Sequence, residues 1–108
     1  MSWKYILRKG TKTATDTAIM WSNDDYDLYQ NIIAKITSLV KSGNNKENII
    51  IGLAIILPEW MAHLDKFMED LGKKWSWRGQ EDAINEVDWE KVARRFEDEI
   101  DTIIEDNA

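Results

Sequence analysis

Residues 48–58 read NIIIGLAIILP, and the fold turns on whether this stretch is a strand or a helix. Its β-branched content, closed off by Asn48 and Pro58, suits a buried strand. A strand needs neighbours, however, and no comparable strands surround it to build a sheet. The stretch is therefore read as a helix, entered at an Asn45 cap with Glu47 in its first turn and apolar on nearly all sides. Such a helix must be wrapped by its neighbours or shared with a second copy. It also falls far short of the roughly 20 apolar residues that span a bilayer.

Toward the N-terminus, Ser42, Gly43 and Asn44 form a turn, since these residues tolerate left-handed and turn conformations. Before it, Leu28, Ile32, Ile33, Ile36, Leu39 and Val40 recur at helical spacing, which predicts a helix over 24–41. Ser22, Asn23, Asp24 and Asp25 supply its candidate caps. Residues 1–21 admit two readings. Residues 2–9 are either a short helix or the first arm of a hairpin whose second, Thr-rich arm runs over 13–21.

Toward the C-terminus, Pro58 lacks an N–H and clashes with the carbonyl of Ala54, so it is expected to kink the central helix or open the next one. Trp60, Met61, Leu64, Phe67, Met68 and Leu71 then mark one apolar face, which Gly72 ends. Residues 73–79, KKWSWRG, read as a connector, and 80–87 as a short helix. Asp88 caps a last long helix reaching Asp106, with Trp89, Val92, Ala93, Phe96, Ile100, Ile103 and Ile104 as its stripe. Glu90 and Arg94, and Arg94 and Asp98, stand one turn apart as opposite charges.

These elements add up to a mainly α fold. The reading is one domain over 1–108: a small bundle of three to four principal helices, with 1–21 as an N-terminal arm or short β-hairpin and 22–108 as the helical core. A chain of 108 residues divided into two cores would leave each too small to stand alone. The absence of cysteine removes disulfides, thiolate metal sites and thiol nucleophiles together, which suits a reducing cytoplasm. No basic segment followed by an apolar one and a small-residue cleavage site opens the chain, so the expected location is cytoplasmic.

A net charge of −6 opposes nonspecific binding to nucleic acid or anionic lipid. Its distribution is uneven. Trp3, Lys4 and Arg8 near the start, and Lys73, Lys74, Trp75, Trp77 and Arg78 in the connector, interleave rings with cations. That chemistry stacks bases while meeting phosphates, and equally anchors a protein partner; its bland alternative is a pair of indoles plugging the end of a bundle. The C-terminal third is acidic, and Glu97, Asp98, Asp101 and Glu105 form a candidate docking face for a basic partner, conceivably in the manner of a nucleic-acid mimic. A solvated helix face is the plain alternative.

His63, the single histidine, stands one turn from Glu59, but two ligands on one helix make an incomplete metal site. No phosphate-binding loop, dinucleotide fingerprint or nucleophile elbow is present. The expectation is a noncatalytic protein–protein interaction module, an accessory, adaptor or inhibitor protein that forms a homo-oligomer, with no cofactor and no metal. The alternatives are a nucleotide or nucleic-acid binder using the basic aromatic patch, an acidic nucleic-acid-mimic inhibitor, and a metal-dependent helical hydrolase using paired carboxylates.

Overall fold

The computed structural model describes residues 14–75 and 84–107. Six helices lie among them: α1 (Ala14–Asp24), α2 (Tyr26–Lys41), α3 (Lys46–Ala62), α4 (Asp65–Trp75), α5 (Trp89–Arg94) and α6 (Glu97–Asp106), with no strand among the described residues. The decisive stretch, residues 48–58, is thus helical and lies inside α3. It is central: α2, α4, α5 and α6 all pack on it.

Local signals set most boundaries. Asp25 accepts a hydrogen bond from the Leu28 N–H (2.8 Å), Asn45 from the Asn48 N–H (2.9 Å) and Asp88 from the Lys91 N–H (3.1 Å), each side chain satisfying an orphan donor in the first turn of its helix. At the far end of α2 the Asn44 N–H reaches Leu39 O and the Gly43 N–H reaches Val40 O. This Schellman closure needs a left-handed residue, and Gly43 supplies it at φ 85°.

The structure corrects four expectations. Residues 14–24 form a helix, not a hairpin arm, because Ala14, Thr15, Thr17, Ala18 and Ser22 are spaced to make one small-residue face, and all five are buried. The other arm of that hairpin lies outside the described residues. Pro58 does not open the next helix but sits within α3. Proline removes one backbone bond, to Ala54, but Leu57 and Met61 on either side of it are fully buried and the helix continues to Ala62.

The break comes instead at His63 and Leu64, whose N–H groups bond three residues back, to Trp60 O and Met61 O, as the chain turns through 89° into α4. Trp60 and Met61 therefore belong to α3, while Phe67 and Leu71 carry the core face of α4. Gly72 does not stop that helix, which runs on through Lys73 and Lys74 to Trp75. One isolated glycine costs a helix only about 1 kcal/mol.

The last long helix is two. At its midpoint the Arg95 and Phe96 N–H groups tighten to i−3 bonds with Val92 O and Ala93 O, and regular bonding resumes with the Ile100 N–H on Phe96 O. The bend lets α5 pack on α3 and α1 while α6 lies against α2 and α3. Phe96, 1% exposed, fills the elbow with its ring 6.0 Å from that of Tyr29. The core so formed joins Ala18, Leu28, Ile32, Ile36, Ile49, Ile50, Leu53, Leu57, Met61, Phe67, Leu71, Val92, Phe96 and Ile100.

Candidate interaction surfaces

α3 is wrapped on most sides but not all. Ile49, Ile50, Leu53, Leu57 and Met61 are fully buried, whereas Ile51 is 51% and Ile55 71% exposed. These two stand one helical turn apart and form a ridge. Gly52 lies beside it, where an added Cβ would sit 3.4 Å from Leu39 Cδ1 of α2. A side chain as small as alanine's would still make ordinary contact there.

The acidic residues of α6 divide by partner. Lys46 Nζ lies 3.1 Å from both Glu97 Oε2 and Asp101 Oδ1, tying the start of α3 to α6. Arg94 continues the network, 3.2 Å from Glu47, 3.0 Å from Glu90 and 4.0 Å from Glu97. The expected Glu90 pair forms. Arg94 turns to Glu97 rather than Asp98, because the bend at Phe96 breaks the one-turn register between them.

The Lys46 ammonium is held above its ordinary 10.5, first by the hydrogen bond it donates to Glu97, then by the one it donates to Asp101. The Arg94 guanidinium is raised as well, chiefly through Glu47 and then Glu90. All these groups are well exposed, so the network positions α6 more than it stabilises the chain. Of the four acids expected to form a docking face, Glu97 and Asp101 are thereby engaged within the chain. Glu105 is exposed, and Asp98 borders a cleft between α2 and α6.

The basic aromatic patch is placed only in part. Lys73, Lys74 and Trp75 occupy the final turn of α4. Trp3, Lys4, Arg8, Trp77 and Arg78 lie outside the described residues. The other indoles hold the bundle: Trp21 Nε1 donates to Asp70 Oδ2 at 2.9 Å, Trp89 Nε1 donates to Ile84 O at 3.2 Å, and Trp60 packs half-buried on the core. His63 caps the end of α3 and is exposed, as is Glu59. Among the described residues no group of three or more histidines and carboxylates is placed to hold a metal ion.

No known protein family, curated protein or solved structure matches this chain. Its surfaces must therefore be read from their own chemistry. No single described helix is long and apolar enough to cross a membrane.

Sequence reasoning found the apolar helix but not its bare side, since only the packed neighbours decide which isoleucines remain uncovered. It also passed over Glu99. That residue reads as one more acid among many, although it stands one turn before Ile103 at the edge of the apolar stripe.

Proposed function

We propose that this chain is a noncatalytic protein-interaction module, of the accessory, adaptor or inhibitor kind, that pairs with a second copy of itself through the Ile51 and Ile55 ridge. The observation that carries this reading is the exposure of those two side chains, 51% and 71%, on the helix that otherwise forms the centre of the core. Covering an isoleucine completely is worth about 1.5–3 kcal/mol, so a surface that hides both has a definite driving force.

A second copy suits the ridge because a two-fold contact requires a patch complementary to itself. With the two α3 helices antiparallel, Ile51 of one copy meets the partner's Ile55 and the contact repeats on the other side of the axis. A standard interface covers about 800 Å² per partner, and two isoleucines furnish only its apolar centre. The association is therefore concentration-dependent, and the rest of the surface stays available to other proteins.

The chain has no cysteine, which makes the pairing directly testable. Two single-cysteine variants, Ile51→Cys and Ile55→Cys, are mixed and mildly oxidised. The antiparallel arrangement predicts that the mixture forms a disulfide-linked heterodimer faster than either variant links to itself or to a Glu105→Cys control. Equal rates in all combinations would refute it.

A further inference from the structure

Between α2 and α6 lies a cleft of about 320 Å³, walled by Tyr29, Ile33 and Ile103 and edged by Asp98, Glu99, Thr102 and Gln30, whose amide makes no bond to the Glu99 Oε2 oxygen. Its walls are largely apolar, yet Glu99 Oε2 is buried there with no hydrogen-bond donor. A carboxylate oxygen withdrawn from water without a donor is costly, so the position calls for one from outside the chain. Thr102 does not serve, because its hydroxyl donates to Asp98 O at 2.9 Å. Lys46 and Arg94 are spent on Glu47, Glu90, Glu97 and Asp101, and Arg95, four residues before Glu99, makes no bond to this oxygen.

We infer that this cleft is a binding slot for an arginine side chain of a basic protein partner, with the guanidinium on Glu99 and the stem along Ile33 and Ile103. Three properties select that occupant. A wholly apolar group would leave the Glu99 oxygen without a donor, and an anion would be repelled by Asp98 and Glu99 in a chain of net charge −6. A guanidinium offers paired N–H donors that match a carboxylate, stacks on aromatic faces such as that of Tyr29, and gives up its hydration more readily than an ammonium. This slot stands independently of the Ile51 and Ile55 ridge, which is built on α3.

The test is a nuclear magnetic resonance titration of the full chain with three blocked peptides of the same short sequence, carrying at one position arginine, lysine or neutral citrulline. The arginine peptide is expected to shift the resonances of Tyr29, Glu99, Thr102 and Ile103 saturably, the lysine peptide to bind several-fold more weakly, and the citrulline peptide to leave them unmoved. Glu99→Gln should weaken arginine-peptide binding at least tenfold, with Glu105→Gln unchanged, the spectra themselves reporting that each variant is folded. In the same series Glu99→Leu should melt at a higher temperature than the parent while losing the peptide, because the unpartnered oxygen is gone. No saturable shift at these residues, equal binding of the citrulline peptide, or equally tight binding of arginine amide alone, which would mark a small-cation site, would each overturn the inference.

Discussion

Trp21 Nε1 donates a hydrogen bond of 2.9 Å to Asp70 Oδ2, joining α1 to α4 across 49 residues of sequence. The two helices also pack directly on each other. Trp21→Phe keeps most of the ring but removes the donor to a partly buried carboxylate. A hydrogen bond to a charged group contributes about 1.5–3 kcal/mol at most, and partial exposure lowers that, so a loss of about 1 kcal/mol is expected. Chemical denaturation of Trp21→Phe, Asp70→Asn and the double variant should show the two losses to be strongly non-additive.

The two described glycines with defined surroundings should respond in opposite directions. Gly43 holds φ 85° with nothing within 4 Å of an added Cβ, so Gly43→Ala meets only backbone strain. That strain is about 1–2 kcal/mol of destabilisation. Gly52 is in the interior of α3, where a Cβ makes ordinary contact with Leu39 at 3.4 Å. Gly52→Ala should therefore stabilise by about 0.5–1 kcal/mol through the lower entropy of the unfolded chain. Urea midpoints for the two variants on either side of the parent would check both.

Lys46 gives a pH-dependent prediction with a defined sign. Its folded-state value lies above the ordinary 10.5, so its contribution is fully present below about that pH and is lost as pH rises through the higher folded value. The melting-temperature difference between the parent and Lys46→Met should accordingly hold constant below the ordinary 10.5 and shrink as pH rises above it. It should shrink also in about 1 M salt, which screens exposed pairs. A difference indifferent to both would show that Lys46 acts through its stem and not its charge.

Most of the fold was legible because its signals are local. Asn45 and Asp88 each precede a first turn they cap, and the Ser42 to Asn44 turn holds Gly43, which takes up the positive φ that closes α2. What sequence could not resolve depends on packing. Pro58 carries a strong local signal for a break, yet Leu57 and Met61 beside it are fully buried and α3 continues past it. Phe96 carries none, and the chain bends there because α5 and α6 must reach different neighbours. The candidate sites follow the same division: that α3 is apolar all round can be read from residues 48–58, whereas the bare side at Ile51 and Ile55 and the donorless Glu99 exist only once the helices are assembled.

The account rests on that bare side of α3 being a contact surface between copies. Sedimentation equilibrium over a wide concentration range tests it most directly. The parent is predicted to rise from the monomer mass of 12.6 kDa toward twice that value as concentration increases, while the variant carrying both Ile51→Glu and Ile55→Glu, with an unchanged helical spectrum, stays at the monomer mass throughout. A parent that remains a monomer at every concentration, or a double variant that associates as the parent does, would contradict it.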